Sequence, residues 1–281
     1  MTSEGQSQET NTEREAAANR AELERKSTKE LFLATLEGGY DDDSAWEAVT
    51  VLRLRGTPEV FELAKRHCAS ENPKARARGL SVLAQLGAGK PDAERPFTAD
   101  CVSIAIDHLQ DPDEEAVRCA AWALSHLGTE QAVLALIALR NHPDSDVRHA
   151  VACCIELRKH PQAVSILGAL MEDSNEVVRD WATFALGSSD IGKDGVFQYL
   201  DSPGIRAALR NRLEDSYEDA RREAIWGLAR RNDPLGVKLL LDHLESEEWW
   251  KGDKDAAEEL LGLELDTSVE EVRDRLRRFL A

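Results

Sequence analysis

The stretch EDSNEVVRDWATFALG, residues 172–187, decides the fold. It opens with an acidic Asp-Ser-Asn turn of the kind that caps helices. A Val-Arg step follows, then a run rich in Ala and Leu that closes on Leu186-Gly187. Val178, Ala182, Ala185 and Leu186 fall three and four residues apart, so they line one stripe of a helix. The small residues in that stripe predict that another backbone comes close.

Working outward, the same order of residues returns along the chain. With Arg179 as position zero, Ala182, Ala185, Leu186 and Gly187 follow. Arg148 is followed by Val151, Cys154 and Ile155; Arg221 by Ala224, Gly227 and Leu228; Arg76 by Gly79, Val82, Leu83 and Gly87. Ala45 heads a copy with Ala48, Val51, Leu52 and Gly56. The stretch DPDEEAVRCAAWALSHLG fits with Val117 at zero, which slips its visible Val117-Arg118 step by one residue. Units therefore begin near 45, 76, 117, 148, 179 and 221, a spacing of 31 with two longer intervals of 41 and 42. A fixed period of this size marks a repeat array. Each unit has a second helix: EVFELAKRHCA, ADCVSIAIDHL, EQAVLALIALR, QAVSILGALM, IRAALRNRL and LGVKLLLDHL. Asn72-Pro73, Asp111-Pro112, His142-Pro143 and Asp233-Pro234 separate the helices. No segment alternates with a period of two, as half-buried strands do.

The pattern D-x-x-x-x-V-R-x-A-A-x-x-A-L-G resembles HEAT repeats, in particular the short bacterial type first described in phycobilisome lyase subunits. The resemblance covers roughly residues 40–246 and is closest from Val178-Arg179 to Gly187 and from Val147-Arg148 to Ile155. It implies a right-handed α-solenoid of about six helix pairs with capping helices at both ends. It also implies a ladder of Asp–Arg contacts between units, with Asp146/Arg148 and Asp173/Arg179 as the matching residues. On that frame the second helices are expected to line the concave side. Three regions are expected: 1–26, a disordered or frayed tail; 27–246, the solenoid; and 247–281, C-terminal capping helices. Within the tail, Ser27 or Thr28 with Glu30 predicts a capping box for the first apolar helix. Trp249 or Trp250 is expected to cover the end of the last repeat.

Composition narrows the function. The formal net charge is −18, from 53 acidic and 35 basic residues. A duplex-binding surface needs a basic stripe, so nucleic acid is not the expected partner. Five cysteines with no CxxC, three of them inside apolar helical patterns, read as buried free thiols of a reducing compartment. The N-terminal residues lack a signal-peptide pattern and no run of apolar residues is long enough to span a membrane; a cytoplasmic protein is expected. None of the seven histidines stands in HExxH, and no His-Glu dipeptide occurs, which opposes the iron chemistry of HEAT-repeat hydroxylases. No metal and no cofactor is expected. The window from Asp190 to Asp201 has Asp at positions one, five and twelve and Gly at six, but Gly192 stands at three and Glu is missing at twelve, so it reads as a turn rather than a calcium loop.

The expected function is a non-catalytic scaffold or adaptor that holds a basic protein partner on an acidic concave face. An immunity protein against a basic toxin is one alternative. A component resembling a bilin lyase or a HEAT-like DNA glycosylase is another, carried by resemblance alone. The candidate binding residues are Arg179, Asp180, Trp181, Arg206, Asp215, Arg222 and Glu223, where ionisable side chains and a Trp gather beside the insertion at 188–204.

Overall fold

A computed structural model describes residues 19–39, 42–88, 95, 97–154, 157, 159–188, 190–191, 197–198, 200–264 and 267–281. They divide into two compact units between Ala138 and Leu139. The first holds α1 (Thr28–Ala34), α2 (Asp43–Arg55), α3 (Pro58–Cys68), α4 (Pro73–Ala84), α5 (Thr98–Asp107), α6 (Glu114–Leu127) and α7 (Glu130–Ala138). The second holds α8 (Ser145–Ala152), α9 (Ala163–Leu170), α10 (Glu176–Gly187), α11 (Pro203–Arg212), α12 (Glu218–Arg230), α13 (Pro234–Glu245), α14 (Lys251–Leu261) and α15 (Val269–Leu280). A two-residue antiparallel pair, β1 (Asp190–Ile191) with β2 (Phe197–Gln198), lies in the second insertion. The fold is an all-α repeat solenoid. The proposed calcium window falls largely outside the described residues.

Local chemistry sets the helix ends. Asp42, Asp113 and Asn175 accept amides of the first turn, and Pro58, Pro73, Pro203 and Pro234 stand in the first turn where no amide partner is lost. The capping box forms as expected: Glu30 accepts from the Ser27 amide at 2.7 Å while the Glu30 amide donates to Ser27 Oγ. Gly56 and Gly128 end α2 and α6 with φ of 52° and 58°, the left-handed turn that glycine adopts without a Cβ clash.

The Val-Arg helices form the tightly packed layer. In unit 1, α4 lies directly on α6; in unit 2, α10 lies directly on α12, while the intervening helices touch one another far less. At the α10–α12 crossing a Cβ on Gly227 would stand 2.8 Å from the Gly187 Cα, so the backbones meet.

Within each unit a repeated guanidinium clamp joins successive repeats. Arg76 donates through Nε and Nη2 to Asp111 at 2.8 and 2.7 Å, Arg148 to Asp173 at 2.7 Å through both, and Arg179 to Asp215 at 2.8 Å through both. The third nitrogen of each holds two carbonyls of its own turn, for example Arg148 Nη1 on His142 and Pro143. Each Asp also accepts the amide two residues on, from Asp113, Asn175 and Tyr217. The ladder runs between successive repeats, as the resemblance implied, with Arg148 and Arg179 each reaching the Asp of the following repeat. Asp173 takes the Arg148 fork, while Arg179 reaches Asp173 only at its backbone oxygen. The slip at Val117 is real: Asp113, four residues before it, caps α6, and Arg118 pairs with Glu115 at 3.0 Å.

Other contacts secure the ends. Buried Arg231 donates to the carbonyls of Leu186, Gly187, Leu200 and Gly227, tying the second insertion to the stack. At the C-terminus Val272 and Leu276 of α15 are fully buried against Val237, Leu240, Leu244 and Ala256, and Trp249 packs on the same cluster.

The Asp215 carboxyl is held down at about 2, chiefly by its hydrogen bonds from Arg179. Its stabilising effect is therefore complete above the ordinary Asp range near 4 and is lost as pH falls through 2. Asp215→Ala strands the Arg179 fork and is expected to cost about 3 kcal/mol in urea unfolding at pH 7. Asp146→Ala, at an exposed residue outside the ladder, is expected to cost under about 1 kcal/mol. Equal costs would show that the ladder does not hold the repeats together.

Candidate functional site

In α4, α6, α10 and α12 the stripe at positions −1, +3 and +7 is buried, in α8 Val147 and Val151 are buried at −1 and +3, and the ladder uses position zero. Positions +1, +2 and +5 share the remaining face. In unit 2 these are His149 and Cys153 on α8, Asp180, Trp181 and Phe184 on α10, and Arg222, Glu223 and Trp226 on α12. The Trp181 ring lies 5.5 Å from His149 and meets Phe184 edge-on at 5.6 Å. Trp181 and Phe184 stay 38% and 37% exposed, enough to offer a ligand an aromatic wall. Arg222 lies over the Trp250 ring, 3.6 Å from its centroid, and pairs with Glu218. Trp226 Nε1 donates to Asp253 at 2.8 Å.

Between these aromatics sit two carboxyl groups out of their ordinary range. Burial raises Asp180 to about 6, and the negative charges of Asp219 and Asp215 add to it. Burial raises Glu223 to about 8; Arg230 opposes the shift, and Asp180 and Asp219 reinforce it. Each has one buried oxygen, Asp180 Oδ1 and Glu223 Oε2, with no hydrogen-bond partner among the described residues. Such a group either keeps its proton or needs a cation. Nearby, burial lowers His149 and raises the Cys153 thiol, so neither offers a charged form at neutral pH. Cys68 and Cys101 are likewise pushed up to about 12 by burial. Among the described residues no three His, Cys, Asp or Glu side chains converge as a metal set, and no helix is long and apolar enough to cross a membrane.

Residues 133–202 match the HEAT repeats family, and residues 120–142 match the PBS lyase HEAT-like repeat. The chain carries HEAT repeats. It is 28% identical over 235 residues to Protein YibA of Escherichia coli strain K12, across 78% of this chain and 77% of YibA. The X-ray structure of E. coli YibA matches with a TM-score of 0.67 at 22% identity, covering 93% of this chain and 94% of that one. A chain of the CpcE–CpcF complex of phycocyanin lyase from Nostoc sp. PCC7120 matches with a TM-score of 0.50 at 16% identity, covering 91% and 94%. These likenesses establish the HEAT solenoid fold.

The HEAT repeats sort the seven candidate residues. Arg179 and Asp215 form a rung of the ladder. Arg206 grips Asp201 with both Nε and Nη2 and donates to the Arg231 carbonyl, so it secures the insertion. Asp180, Trp181, Arg222 and Glu223 remain on the open face. Phe184, Asp219 and Trp250 belong with them and were not among the seven. Phe184 was legible, because it repeats the +5 place of Trp122 and Trp226.

A raised carboxyl means that the folded chain binds more protons than the unfolded chain between the ordinary Glu range and pH 8. Stability therefore declines as pH rises across that window. Glu223→Gln is expected to remove the part of the decline that lies above pH 6, leaving the part that Asp180 contributes below it. The variant's melting temperature is expected to match the parent near pH 4.5 and to exceed it by several degrees at pH 8.5, as calorimetry can check. A lower melting temperature at pH 8.5 would mean that ionised Glu223 is stabilised in the fold.

Proposed function

We propose that this HEAT-repeat chain is a non-catalytic interaction module that receives a basic segment of a partner protein on the Val-Arg face of unit 2. The observation that carries the reading is the pair Asp180 and Glu223, two desolvated carboxyls with unpartnered oxygens beside exposed Trp181 and Phe184. An arriving ammonium or guanidinium supplies the charge these groups lack and packs its stem on the aromatic rings. The two carboxyls then ionise and release protons. Asp219 adds to the negative field, and a net charge of −18 draws basic partners from a distance. The same field repels phosphate backbones, which disfavours a glycosylase-like role. A second protein chain accompanies this fold in the CpcE–CpcF complex, which supports association as the use of the solenoid.

The test is peptide display on the full chain, followed by calorimetric titration of a selected peptide. Selected segments are expected to carry Lys or Arg next to an apolar residue. Their affinity should rise about a hundredfold from pH 6 to pH 8, about tenfold per pH unit for one linked proton released, and fall with added salt. Asp180→Asn with Glu223→Gln should abolish binding while the fold still melts cooperatively. Segments without basic residues, or binding that the double variant leaves intact, would overturn the reading.

A further inference from the structure

The ladder has an end. Arg221 occupies position zero of α12, and its Nη1 holds the carbonyls of Asp215 and Ser216 at 2.6 and 3.1 Å, as Arg76, Arg148 and Arg179 hold theirs. In those three the remaining Nε and Nη2 take an Asp of the following turn. For Arg221 no described residue accepts from them, and no described carboxylate pairs with it. The following turn runs Ser246-Glu247-Glu248-Trp249-Trp250 and places no Asp there. The next Asp along the chain, Asp253 in the first turn of α14, is committed to the Trp250 amide at 2.9 Å and to Trp226. Beside Arg221 a cavity of about 490 Å³ opens, lined on one side by Leu213, Ile225, Leu235 and Leu239.

We propose that Arg221 receives the side-chain carboxylate of an Asp in a partner peptide, whose adjoining apolar side chain lies on that leucine-rich wall. The three filled rungs show the geometry: two parallel N–H···O bonds of about 2.7–2.8 Å, with the guanidinium already fixed by its own turn. Exposed Glu214 and Glu248 stand at the rim of the same cavity. They repel a polyacidic segment and restrict the site to one carboxylate within apolar or basic neighbours. The proposal uses none of the Asp180 and Glu223 chemistry, so either can fail without the other.

The test is the arginine Nε–H spectrum of the full ¹⁵N-labelled chain, titrated with the peptide amide acetyl-Leu-Asp-Leu and with its Asn counterpart at equal ionic strength. In the free protein the Nε–H signals of Arg76, Arg148 and Arg179 are expected at the position of carboxylate-paired guanidinium, and that of Arg221 away from it. The Asp peptide should move Arg221 to join the other three and leave them in place; the Asn peptide should not. An Arg221 signal already at the paired position would show that the chain's own carboxylate fills the rung and overturn the proposal. So would an Arg221 signal that ignores the Asp peptide, or that answers both peptides alike.

Discussion

In three of the repeats one guanidinium does two jobs that the rest of the structure depends on. Its Nη1 closes the turn in front of its own helix, and its Nε–Nη2 fork takes the carboxylate of the next turn. Arg148 shows both, with His142 and Pro143 on one side and Asp173 on the other. The planar fork leaves little freedom in angle or register. A half-buried ion pair gives modest net energy, since desolvation offsets much of the attraction. Its larger effect is to hold each repeat at a set offset from the next. That offset lets Gly227 meet Gly187 backbone to backbone, a contact no larger residue tolerates.

Close packing of the Val-Arg helices has a functional consequence. It uses the −1, +3 and +7 positions for the core and position zero for the ladder, and in α10 and α12 it leaves +1, +2 and +5 together on one face. Four of the six tryptophans, Trp46, Trp122, Trp181 and Trp226, stand in the Val-Arg helices. In unit 2 the same face holds Asp180 and Glu223, where crowding by helices and by Asp219 holds the protons on. A surface that combines aromatic walls with carboxyls short of a counter-ion is arranged for a cationic side chain. It does not resemble a rigid array of surface ion pairs, which would be satisfied already.

Much of this was legible in the residues. The helix pairs, the slip at Val117, the capping box at Ser27 and the C-terminal cap follow from periodicity and capping chemistry, which are local. The α14 start was less legible: Lys251 begins the helix five residues before Ala256, because Asp253 closes the turn by taking the Trp250 amide. Which Asp meets which Arg was not legible, because pairing between repeats is not local. One signal was available. Ser70, Asp111, His142, Asp173 and Asp215 all stand six residues before position zero, and each accepts the amide two residues on. His142 does so through Nδ1, yet it cannot serve as a rung acceptor as Asp does, and Val117 offers no guanidinium. Helix order along the chain does not say which layer packs closer; the backbone approach of α10 to α12 at Gly187 and Gly227 is seen only in the structure. Asp180 and Glu223 stood among the candidates for their density of charge. Their raised proton affinity came only with burial, which charge pattern does not report.

The central claim is that the open face of unit 2 carries two carboxyls whose proton affinity is raised by burial, Glu223 far enough to stay protonated at neutral pH. A pH titration of carboxyl ¹³C shifts in the free chain, with Asp180→Asn and Glu223→Gln for assignment, tests it most directly. Midpoints near 6 for Asp180 and near 8 for Glu223 are predicted. Midpoints near 4 for both would show two solvated or already paired carboxylates and would contradict the claim.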